Sequence, residues 1–135
     1  METITLKLPV TVKAKVTETL KAELIEEVNS ALAAVDEDLQ QFDFHTRRMM
    51  GEQAQTDAQA LVGLRQQIDG ERAKMEQAKE NFNERLQAAE KLELGSEILR
   101  GQMEQLVTVK VGDDLEKLTR SEIVVEDGKI IAFRS

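Results

Sequence analysis

From Ile25 the apolar positions recur at alternating steps of three and four residues: Ile25, Val28, Leu32, Val35, Leu39, Phe42, then Thr46 and Met49. That spacing is a heptad seam. A second seam, Leu61, Leu64, Ile68, Glu71, Met75, Ala78 and Phe82, follows a run from Gly51 to Thr56 that has no heptad apolar position. The pattern predicts two long amphipathic helices folded into an antiparallel coiled-coil hairpin over residues 17–94, with helices at about 17–50 and 57–94 and a turn at about 51–56. The two seams fit one register, in which Ile25 faces Phe82, Leu32 faces Met75, Leu39 faces Ile68 and Thr46 faces Leu61.

The ends of both helices carry signals. Thr17 suits an N-cap, with Glu18 in the first turn where the helix dipole favours an acid. Gly51 suits the left-handed position after a helix, and Thr56 with Gln59 has the spacing of a capping box. Leu94-Gly95 is a second stop. An arm of that length spans on the order of 50 Å at 1.5 Å per residue, longer than a small core needs. Gly63 and Gly70 interrupt helix two and are read as close approach, a bend or slack.

Outside the hairpin the period falls to two. Ile4, Leu6, Leu8, Val10, Val12, Ala14 and Val16 alternate with Thr, Lys and Pro, which predicts a one-faced strand, and Pro9 marks an edge strand, the leading reading, or a bend that divides a short strand from a longer one. Residues 96–103 and 106–111 read as two further strands. Gly112-Asp113-Asp114 turns into a short helix near 114–119, with Asp113 as its cap. Asp127-Gly128 between two β-branched runs predicts a hairpin. The expected fold class is α+β, in the order β-α-α-β-β-β-β with the short helix near 114–119. Residues 1–16 and 95–135 form a small, mostly antiparallel β-sheet or half-barrel base, and the helical hairpin is inserted after its first strand.

Composition narrows the function. Of 135 residues, 33% are charged and 3% aromatic, with no Trp or Tyr, the balance of a coiled coil rather than of a thick core. A net charge of -8 opposes a general nucleic-acid or anionic-membrane surface. Cysteine is absent, which removes disulfides, thiol nucleophiles and cysteine metal sites. The alternating N-terminus lacks the apolar core of a signal peptide, no run reaches transmembrane length, and a cytoplasmic location is expected.

Three stretches carry a resemblance: Leu94-Gly95-Ser96-Glu97-Ile98, Val109-Lys110-Val111-Gly112-Asp113, and Glu122 through Ile130 with its Glu126-Asp127-Gly128-Lys129 turn. Placed after an N-terminal strand and a charged helical stretch, they resemble the bacterial YlqD family over nearly the whole chain. The resemblance implies a bacterial or cyanobacterial intracellular protein, and it transfers no functional residue.

The chain holds few side chains that could carry chemistry. His45 is the one histidine and has no second ligand at helical spacing. The glycines form no phosphate loop. Acid pairs such as Glu26-Glu27 fall on a solvated face. No catalytic residue, cofactor, metal or small-molecule substrate is expected, so the protein reads as a non-enzyme. Two anomalies remain. Glu71 occupies a seam position opposite Val35, where it either reaches water or a basic neighbour such as Arg72, or fixes register. Arg47, Arg48 and Arg65 gather with Phe44, Met49 and Met50 near the tip, either as solubilising charge or as a partner-binding surface. Ile130, Ile131, Ala132 and Phe133 put apolar side chains on both parities of the last strand, and Ile131 and Phe133 are candidate oligomer contacts. The leading reading is a structural or interaction protein, an adaptor or scaffold with a protein partner and a homo-oligomeric base, a dimer as first guess. The alternatives are a prefoldin-like holdase and an RNA- or ribosome-associated factor using the three arginines.

Overall fold

The computed structural model describes residues 2–55 and 57–135. The elements are β1 (Thr3–Lys15), α1 (Glu18–Ala54), α2 (Ala58–Glu90), β2 (Glu97–Lys110), α3 (Leu115–Thr119), β3 (Glu122–Glu126) and β4 (Lys129–Arg134). The chain divides into a β unit, 1–22 with 92–135, and a helical unit, 23–91. The fold class is α+β with a helical hairpin inserted after the first strand, as the periodicity predicts.

In the β unit the sheet order is β2-β1-β3-β4. β1 is antiparallel to β2 along its whole length, parallel to β3 over Thr11–Ala14 only, and β3 is antiparallel to β4. Two sequence expectations are corrected here. β1 is an edge only before Thr11: from Thr11 to Ala14 it lies between β2 and β3. Thr11 N donates to Ser121 O at 3.0 Å, so the nitrogen of Pro9, two residues earlier, points the same way but lies before β3 begins. Its missing donor therefore costs no ladder bond. The runs at 96–103 and 106–111 are one strand, β2, with a bulge at Arg100, because the polar Glu104-Gln105 step is tolerated at a solvated edge.

Register assigns the two faces. Leu8, Val10 and Ala14 share one face of β1, and all are buried. Thr and Lys occupy the other. The β3–β4 turn has Asp127 at φ 48° and Gly128 at φ 82°, the left-handed pair that an Asp-Gly hairpin turn demands. Thr17 caps α1 as read: Leu20 N donates to its Oγ1 at 3.1 Å, and that hydroxyl in turn donates to Asp127 Oδ1 at 2.6 Å. Asp114, not Asp113, caps α3, accepting from Lys117 N at 3.3 Å.

In the helical unit, α1 runs through Gly51 to Ala54, so Gly51 is not the stop. Thr56 lies outside the described residues, and the N-cap of α2 is Asp57, whose side chain accepts from Gln59 N at 2.9 Å. α2 ends at Glu90, one turn earlier than expected. Two ion pairs set the register between the helices: Asp43 with Arg72 at 2.9 Å and Asp36 with Lys79 at 2.7 Å. Both steps, Asp43 to Asp36 and Arg72 to Lys79, are one heptad. Leu39 is therefore level with Met75, Leu32 with Phe82, Ile25 with Ala89 and Thr46 with Ile68. The expected register is displaced by one heptad, because a seven-residue repeat fits its partner equally well after any seven-residue slip.

Candidate functional site

The helical unit holds the residues picked out near the hairpin turn. Phe44 is 73% exposed and lies on the side of α1 away from the half-buried stripe, with Arg48 one turn on. Arg48 pairs with Glu52 at 3.8 Å, both well exposed. Arg47 lies on the flank that bears Asp43, whose carboxyl its charge helps to hold ionised. Met49 is exposed and Met50 half-buried, the reverse of the heptad reading, because the seam takes a four-residue step from Thr46. Arg65 is exposed on α2, level with Met50. The structure thus brings Phe44 and Arg48 together and spreads the others around two helices. His45 is exposed.

Glu71 is not on the seam. It is exposed and pairs with Lys74 at 3.6 Å, while Arg72 takes the facing position. Arg72 reaches Asp43 through two parallel bonds, Nε to Oδ1 at 2.9 Å and Nη2 to Oδ2 at 3.0 Å, and it also bonds Glu76. Those hydrogen bonds hold the Asp43 carboxyl below its ordinary range and raise Arg72. Thr46 is buried with its hydroxyl donating to Asp43 O at 3.1 Å, so it places no unsatisfied group in the seam.

The β unit holds a second arginine fork. Arg134 bonds Glu97 Oε1 at 2.6 Å and Oε2 at 2.7 Å, which lowers Glu97 and raises Arg134. Lys13 meets Glu122 at 2.8 Å beside it. Val124, 1% exposed, shares this polar face. On the opposite face Val12, Ile123 and Phe133 form a row across β1, β3 and β4, Met103 faces Val10 one pair further along, and Met103, Val10, Ile123 and Phe133 line an open groove of about 400 Å³. Phe133 is 76% exposed, and Ile131 is the bulged residue of β4 at 49%. Sequence parity alone would not find this row, because it needs the strand order.

Among the described residues no group of three His, Asp or Glu is placed to hold a metal ion, and no helix is long and apolar enough to cross a membrane. The groups with displaced pKa values are the members of the two arginine forks, ion pairs between structural elements, and of these Arg134 also lines the open groove.

Comparison with known proteins agrees with this geometry. No curated protein matches the chain. A crystal structure of a protein of unknown function from Synechococcus sp. WH 8102 superposes with a TM-score of 0.76 and 28% identity, covering 98% of this chain and 95% of that one. The profile of the YlqD protein family matches residues 4–134, which takes in the strand before the hairpin, both helices and every strand after them, and the chain belongs to the YlqD family.

Proposed function

We propose that the protein is a non-enzymatic, cytoplasmic interaction protein, an adaptor or scaffold, in which the β unit assembles copies and the helical hairpin, a coiled coil, binds a protein partner. The observation that carries this reading is the amount of large apolar surface left open on the β unit. Phe133 is 76% exposed, Leu106 71%, Leu99 69% and Met103 59%, more than a small acidic domain keeps without covering it. The reading is also economical with chemistry, since the strongest electrostatic features are ion pairs between structural elements. The exposed Phe44 beside Arg48 is the surface assigned to the partner.

Affinity capture from the native cytosol with in-cell crosslinking tests it. A defined set of proteins should co-purify with the full chain and be lost from Phe44→Ser combined with Arg48→Glu, which are both exposed and leave the hairpin folded. An unchanged set with the double variant contradicts the assignment. Suppression of aggregation of a denatured model protein at stoichiometric ratio would contradict the adaptor reading in favour of a holdase.

A further inference from the structure

β2 is a long, open edge whose chemistry matches itself. Thr11 N faces β3, so the even-numbered residues of β1 turn their backbone groups to β2, where their partners between Gly101 and Val109 are odd-numbered. The backbone groups of Gln102, Glu104, Leu106 and Thr108 therefore point away from β1, and among the described residues no strand lies beyond β2. Lys110 points the same way, and its groups are taken: its N donates to Asp113 Oδ2 at 2.9 Å, and its O accepts from Asp113 N at 3.1 Å. The free edge thus has a built end.

Edges in soluble proteins are usually blunted by proline, lysine, bulges or shortness. The open stretch of β1 carries Pro9 and Lys7, and β4 is six residues long with a bulge. From Gln102 to Thr108 β2 has none of these, and it exposes Met103 and Leu106.

We infer that two copies of this chain join β2 to β2, antiparallel about a two-fold axis at Val107, into one continuous sheet. The inference rests on the reading of the β unit as the assembling part and names its interface. Charge selects the register. Centred on Glu104, the pairing opposes two carboxylates. Centred on Gln105 or Leu106, it leaves Glu104 against Leu106 or Thr108. Centred on Val107, it sets Glu104 of each copy against Lys110 of the other, twice, and opposite charges directly across strands attract. The same register exchanges backbone bonds between Leu106 and Thr108, the free groups nearest the axis, and brings Met103 level with Val111, which is 98% exposed in the single chain. The pair is isologous and closed, so it ends the edge instead of propagating it.

Val107→Cys in the full chain tests this, because the chain has no native cysteine and a non-hydrogen-bonded antiparallel pair has its Cα atoms about 4.5 Å apart, within disulfide reach. Mild oxidation should convert it to a disulfide dimer, while Phe133→Cys, exposed but far from the axis, should stay unlinked. Glu104→Lys should weaken dimerisation about tenfold in sedimentation, and adding Lys110→Glu should restore it; both side chains are exposed, so neither change threatens folding. A wild type that sediments as a dimer while Val107→Cys fails to link, or while Phe133→Cys links as readily, overturns this interface and leaves the assembly reading standing. Failure of the charge swap to restore also overturns it. A monomer at every concentration overturns both.

Discussion

Asp43 and Arg72 meet as a fork, each carboxylate oxygen bonded by a different guanidinium nitrogen, at 2.9 and 3.0 Å. A single such contact fixes how far one helix has slid along the other, because slipping by a heptad moves Arg72 about 10 Å away at 1.5 Å per residue. The pairing of Leu39 with Met75 follows from it. Leu39→Cys with Met75→Cys should therefore form an intramolecular disulfide on oxidation, and Leu39→Cys with Ile68→Cys should not. Peptide mapping after proteolysis reads the outcome.

The same register defines which heptads face each other. Removing Asp36–Phe42 together with Ala73–Lys79 should leave Asp43 against Arg72 and shorten the hairpin without unfolding it. Removing either stretch alone leaves one helix seven residues longer than the other, and the melting temperature should fall further than for the double deletion. Circular dichroism melts compare the three chains.

Acid should weaken the fold through its two forks. Hydrogen bonds from Arg72 hold Asp43 below its ordinary 3.8, and those from Arg134 hold Glu97 below its ordinary 4.5. A carboxyl with a lower pKa folded than unfolded adds stability at pH above the unfolded value and loses it as the pH falls through the folded one. The contribution is thus full near neutrality and declines below those ordinary values. Both pairs are partly exposed, so salt should reduce the effect. Melts from pH 7 to pH 3 should show a steeper loss for the wild type than for Asp43→Asn combined with Glu97→Gln.

Val124 is the best-buried side chain of the sheet at 1% exposure, although it sits on the polar face beside Lys13, Glu122 and Arg134. Val124→Ala should cost about 2 kcal/mol, from lost transfer energy and a residual cavity. Phe133→Ser, at 76% exposure, should cost less than half as much in chemical denaturation of the monomer.

The elements were legible in the sequence because burial writes its period into it: three and four for the helices, two for the strands, and Thr17 and Asp127-Gly128 at the joints. What failed is what local pattern does not encode. A heptad repeat is blind to a seven-residue slip, which the turn and the ion pairs between the helices resolve. Gly51 read as a stop, yet glycine inside a helix costs only about 1 kcal/mol, so α1 continues to Ala54 and the pairing shifts with it. Alternation in β1 gives the inward face and says nothing about neighbours, and Pro9 suggested an edge because a missing donor matters on one side only. The candidate site near the hairpin turn came from composition, which found Phe44 and Arg48 together but could not tell which face of α1 they share. The apolar lining that joins Met103 to Phe133 depends on strand order and was invisible for that reason.

Assembly through the β unit is tested most directly by the mass of the wild-type protein in solution. Light scattering reports mass whatever the shape, so the full chain at micromolar concentration should give twice 15.2 kDa. A mass of 15.2 kDa that persists as the concentration is raised a hundredfold would contradict it.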